Sequence, residues 1–142
     1  MALTGKRVLV VEDEALAAML LEDMLGSLGC EVVAVASRLD AAEKQAQEAT
    51  IDVATLDVNL AGQMSYPVAT ILRSRNIPFV FATGYRSIAL PAGLNDAVVL
   101  AKPYSQDQLA KALLRSLTEH AASPQHDPLP PATLGQTKSG QG

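Results

Sequence analysis

Apolar positions along residues 1–120 alternate between two patterns. One is the short, nearly continuous run rich in branched side chains, at 7–11, 31–35, 52–56, 78–82 and 97–101. Such runs fit strands covered on both faces. The other is helical spacing. Over 14–28, Leu16, Met19, Leu20, Met24 and Leu28 recur at three- and four-residue steps and predict one apolar face, with Gly29 as the stop. A second helix is expected over 38–49, capped by Ser37. A third runs over 67–75, with Pro67 in its first turn and Val68, Ile71 and Leu72 inward. Another starts near Ser105 and carries Leu109, Ala112, Leu113 and Leu117.

Five strands alternating with helices predict an α/β domain, a doubly wound five-stranded parallel sheet with helices on both faces. The fourth connection, 83–96, is the exception. Pro91 and Gly93 both oppose a helix there, so a short or frayed one is expected. From Ala121 the periodicity stops, and Pro124, Pro128, Pro130 and Pro131 appear in quick succession. The division expected is a folded domain over 1–120 and a disordered Pro/Gly-rich tail over 121–142.

Composition narrows the function classes. Hydrophobic residues make up 49% of the 142 and charged residues 18%, enough for a packed core. Aromatics are 4%, so the core is built from Ala, Val, Leu and Ile, with Phe79 and Phe81 as core additions. A net charge of −4 opposes nucleic-acid binding, which needs a basic face. The single Cys30 excludes an intramolecular disulfide and a cysteine-rich zinc site, and reads as a small buried hydrophobe. The longest N-terminal apolar run, 8–11, is far too short for a signal core or a membrane span. A soluble cytoplasmic protein is the expectation.

In a doubly wound sheet, sites form beyond the carboxyl ends of the strands. The first strand ends in Glu12-Asp13-Glu14, the third in Asp57-Val58-Asn59, the fourth in Thr83-Gly84 and the fifth in Lys102-Pro103. Crowded carboxylates repel one another and call for a cation; all-oxygen donors favour a hard ion, magnesium. A carboxylate beside magnesium can attack a phosphoryl group while metal and lysine offset charge on its oxygens. Asp57, central and at the end of an apolar strand, is the best nucleophile.

Glu12-Asp13, Asp57, Thr83 and Lys102-Pro103, in this order at strand ends, resemble the receiver domain of two-component response regulators. The segment Pro78-Phe-Val-Phe-Ala-Thr-Gly-Tyr85 resembles the FATGUY subgroup of single-domain receivers. The resemblance implies a flavodoxin-like (βα)5 receiver fold with strand order 2-1-3-4-5. It implies that Asp57 accepts phosphate from a histidine kinase, of the HWE type or related. It also implies that Glu12, Asp13, Asp57 and the Asn59 backbone carbonyl hold Mg2+, and that Lys102 and Thr83 contact the phosphoryl group. The output would be contact with a downstream protein, or drainage of phosphate from a kinase; the role is regulatory, not enzymatic. Two departures stand out: Val99 replaces the usual aromatic switch residue, and Ala61-Gly62 stands where ordinary receivers carry a proline. With no aromatic at 99, ordering of residues 83–96 around the phosphoryl group, with Tyr85 moved, is the expected output step.

Two other classes of function compete: a binding module, and a small enzyme or cofactor carrier on the same fold. A receiver-like binding module that is never phosphorylated would be expected to lose some of these five positions. A flavin-phosphate carrier needs a hydroxyl- and Gly-rich loop after the first strand, where this chain places Glu12-Asp13-Glu14. An Asp-nucleophile phosphatase would carry a second Asp two residues on, where Asn59 stands. The isomer of the Lys102–Pro103 bond and the roles of Tyr85 and Tyr104 stay open.

Residues 121–142 lack the apolar spacing needed to pack. Deleting them is expected to leave melting temperature and phosphorylation unchanged, and a loss of several degrees on calorimetry would show that they dock on the domain.

Overall fold

The computed structural model describes residues 2–84 and 89–121, the last without its side chain. Tyr85, most of the expected tail and the centre of the fourth connection lie outside the described residues.

In chain order the elements are β1 (Arg7–Val11), α1 (Ala15–Ser27), β2 (Glu31–Ala36), α2 (Leu39–Glu48), β3 (Val53–Asp57), β4 (Asn59–Leu60), β5 (Gln63–Met64), α3 (Tyr66–Ser74), β6 (Phe79–Thr83), β7 (Val98–Ala101) and α4 (Gln106–Ala121). The main sheet is parallel throughout, in the order β2-β1-β3-β6-β7. For the five expected strands this is 2-1-3-4-5. Alternation within each strand feeds two separate cores. Leu9, Val11, Leu56, Phe79 and Phe81 meet α2 and α3 on one face. Val8, Val10, Val80, Val98 and Leu100 meet α1 and α4 on the other. Phe81 contacts both Phe79 and Tyr66 edge to face, at centroid distances of 5.3 and 5.9 Å.

Several local expectations change. Ser37 does not cap α2; Arg38 holds the N-cap position without a side-chain bond. A true capping box occurs at α4, where Ser105 Oγ accepts from Gln108 N (3.1 Å) and Gln108 Oε1 accepts from Ser105 N (2.8 Å). That helix continues through Ala121, one residue past the expected domain end. Cys30 is only half-buried, and its Sγ lies 3.5 Å from the Leu3 carbonyl.

The fourth connection has no helix among its described residues. Leu94 is buried, and turns close through Leu94 N to Pro91 O and Ala97 N to Leu94 O. Arg73 on α3 tethers this coil. Its Nη1 donates to the Gly93 carbonyl (2.7 Å) and to Asp96 (3.1 Å), while the guanidinium lies 5.3 Å from the Phe79 ring centre.

The largest correction concerns α1. The face predicted inward from Leu16, Met19 and Leu20 is exposed, at 81%, 60% and 57%. The helix instead buries Ala18, Leu21 and Leu25, while of the five residues expected inward Leu28 is buried and Met24 partly so. This helix is apolar almost all round, so spacing selects two stripes equally well and only contact with the sheet decides between them. Leu25→Ala is therefore expected to cost about 2–5 kcal/mol of stability. Leu20→Ala is expected to stay within about 0.5 kcal/mol. Denaturant titration of the two variants checks the assignment, and equal losses would reverse it.

Candidate functional site

The site is built by the sheet ladder at the carboxyl edge. Beyond β1, Glu12 N still donates to Ala36 O (3.0 Å), which fixes the backbone that carries Glu12. Asp57 is the last residue of β3 and lies opposite Ala82. Thr83 closes β6 opposite Ala101, and Lys102 N donates to Thr83 O at 2.8 Å. The Lys102–Pro103 bond is cis.

Of the residues singled out in the sequence, Glu12, Asp13 and Asp57 come together, each with a carboxylate oxygen within 4.8 Å of the others. Lys102 Nζ donates to Glu12 Oε1 (2.9 Å) and to Asp57 Oδ2 (3.2 Å). Thr83 is buried at the end of the neighbouring strand. Asn59 opens β4 opposite Met64, and its side chain accepts from Gly62 N at 2.7 Å. The hairpin of β4 and β5 was not expected. Its signal in the sequence is the turn-forming Ala61-Gly62 pair.

The electrostatics follow from burial. Glu12 is almost fully covered and Asp57 nearly so. Burial and then the charge of Glu12 push the Asp57 carboxyl up to about 6, against the opposing pull of Lys102. Burial works against the Lys102 charge, but its hydrogen bond to Glu12 and the charges of Asp57 and Glu12 outweigh this and raise its pKa. Burial raises the Tyr104 hydroxyl too. The direct Glu12–Lys102 pair was not foreseen, because no sequence spacing links positions 90 residues apart.

Three carboxylates against one ammonium leave excess negative charge in a half-buried notch. All donors are hard oxygens, so the set fits magnesium, with water completing its shell. Beside the notch, Glu12, Glu14, Leu20, Met24, Lys102 and Tyr104 line an open cavity of about 370 Å³.

The response regulator receiver domain model matches residues 8–114. The chain belongs to this family. Receiver domains are signalling modules, so this chain is one component of a two-component response regulator system and not a catalyst. The sensory transduction protein LytT of Bacillus subtilis is 33% identical over 111 residues, covering 75% of this chain and 46% of LytT. The receiver thus spans about half the length of that curated relative. The solution structure of SdrG from Sphingomonas melonis is 43% identical, with a TM-score of 0.70 over 83% of this chain and 98% of SdrG. A BeF3-activated conformation of SdrG, from Pseudomonas melonis, is 42% identical with a TM-score of 0.68, covering 80% and 98%. No helix among the described residues is long and apolar enough to cross a membrane.

The raised Asp57 pKa has a consequence for stability without metal. In the folded receiver Asp57 holds its proton up to about pH 6, whereas an unfolded chain releases it near pH 4. Between those values the folded state binds more protons, so this group's contribution to stability falls as pH rises from about 4 to about 6. Asp57→Asn removes the charge and is expected to raise the melting temperature at pH 7.5 by a few degrees in EDTA, on the order of 1 kcal/mol. At pH 4 the difference is expected to shrink. A destabilised variant at pH 7.5 would contradict this electrostatic picture.

Proposed function

We propose that this receiver accepts a phosphoryl group on Asp57 from a histidine kinase and signals through protein contacts. The observation that supports this reading is the meeting of Glu12, Asp13, Asp57 and Lys102 at one sheet edge. Glu12, Asp13, Asp57 and the Asn59 carbonyl are the residues that would hold Mg2+. When bound, the ion supplies positive charge for the phosphoryl oxygens.

The work of the chain's own residues is simple. With a pKa of about 6, the Asp57 carboxylate is mostly ionised at pH 7.5. One of its oxygens attacks phosphorus as the bond to the donor's imidazole nitrogen breaks; that nitrogen keeps the bonding pair, and the ring leaves as neutral imidazole because its other nitrogen carries a proton taken from solvent. Lys102 already touches Asp57 and moves its charge onto a phosphoryl oxygen. The Thr83 hydroxyl, at the end of the next strand, donates to another. Burial of the notch limits water and strengthens each of these contacts.

A donor histidine must reach Asp57 from outside, so its protein has to cover the edge of the site. The exposed Leu16, Met19 and Leu20 on α1, of which Leu20 lines the cavity beside Lys102, form an apolar surface for that contact. The motif of residues 78–85 favours the single-domain FATGUY subgroup and a kinase of the HWE type or related. We assign the domain to residues 1–121, in the cytoplasm, with residues beyond it outside the phosphoryl chemistry.

Incubation with acetyl phosphate and Mg2+ is expected to add one phosphoryl group by intact mass. EDTA or Asp57→Asn is expected to abolish it. Leu16→Asp with Leu20→Asp is expected to keep acetyl phosphate labelling but to slow transfer from a cognate kinase at least tenfold. Labelling that survives Asp57→Asn would overturn the assignment.

A further inference from the structure

The turn after Asp57 contains an unusual backbone. Ala61 has φ 50° and Gly62 φ 93°, so two successive residues occupy the left-handed region and close the β4–β5 hairpin between Leu60 and Gln63. Two positive-φ residues in a two-residue loop are the mark of a type I′ turn, which matches strand twist. At Ala61 that conformation is costly, because its Cβ crowds the backbone. It persists where surrounding contacts require it. Two contacts do so here. Gly62 N donates to Asn59 Oδ1 at 2.7 Å, which closes the turn. Ala61 N donates to Asp13 Oδ2 at 3.1 Å, which ties the turn to the far strand end.

We infer that the β4–β5 hairpin is a positioning element for the carboxylate cluster, acting through the Ala61 N–H on Asp13. Asp13 is partly exposed and takes part in no ion pair among the described residues. Without the amide its carboxylate would rotate freely and lose that freedom on binding a cation. The Ala61 N–H commits one lone pair of the carboxylate and leaves the others for the ion. Preorganisation of this kind lowers the ordering cost of binding. A proline at 61 would have no N–H and a fixed negative φ, so it could not make the contact. The positioning role rests on the reading that the cluster binds magnesium.

The test is a calorimetric Mg2+ titration of the full chain in three forms. Ala61→Gly keeps the N–H and relaxes the backbone, and is expected to bind Mg2+ within twofold of the unaltered protein. A chain with lactate in place of Ala61 exchanges the amide for an ester, and so removes the N–H with little change of shape. It is expected to bind Mg2+ about tenfold more weakly. Equal affinity in the ester form would overturn the positioning role while leaving magnesium binding intact. Should the ester chain fail to fold, hydrogen exchange on the unaltered protein decides: the Ala61 amide is expected to be protected with and without Mg2+, and exchange at the open-chain rate would overturn the proposal. An unaltered protein that does not bind Mg2+ at all removes the functional reading, and the positioning role with it.

Discussion

Lys102 facing two carboxylates across a half-buried notch is the interaction around which the domain is arranged. Glu12 comes from the end of β1, Asp57 from β3 and Lys102 from just beyond β7, so three strands must end level with one another. The parallel ladder enforces that level. Its last rungs, Glu12 N to Ala36 O, Val58 N to Ala82 O and Lys102 N to Thr83 O, lie just outside the strands and hold the chain where the charges are. A slip of one residue in any strand would turn its terminal side chain to the opposite face and break the cluster. The lysine lessens carboxylate repulsion without cancelling it. That imbalance leaves a cluster of oxygens that could hold a cation.

The two cores share the structural task unequally. The face under α2 and α3 holds both phenylalanines and the Arg73 tether, and supports the described coil of the fourth connection. The described part of that coil is held by Arg73, by buried Leu94 and by two turn bonds, fewer backbone bonds than a helix supplies. The face under α1 and α4 is aliphatic, and α1 has more apolar surface than the sheet can cover. Leu20 of that surplus lines the cavity beside Glu12 and Lys102, so apolar surface and charged groups stand side by side.

Much of the site was legible because each residue sits at the end of an apolar run. Asp57, Thr83 and Lys102 are marked by where the Val, Leu and Phe stretches stop, and the chemistry of crowded oxygens points to a hard cation. The pairing of Lys102 with Glu12 was not legible, since strand ends assign the two separate roles and no spacing links them to each other. Ser37 looked like a cap by type alone, while the chain in fact entered α2 one residue later, at Arg38.

What the sequence by itself determined is the alternation of buried strands and helices, because burial on both faces demands continuous apolar runs and a helix between parallel strands demands its own spacing. It also determined which residues stand at the strand ends. Tertiary structure alone decided which stripe of α1 is buried, because Ala18, Leu21 and Leu25 compete with Leu16, Met19 and Leu20 on equal terms until a sheet is present. It alone decided the Ala61–Asp13 contact, a bond between residues 48 positions apart that depends on a left-handed turn and not on any side chain at 61. Local patterns are set by energies between near neighbours in the chain, whereas these choices depend on surfaces that exist only once the layers have packed.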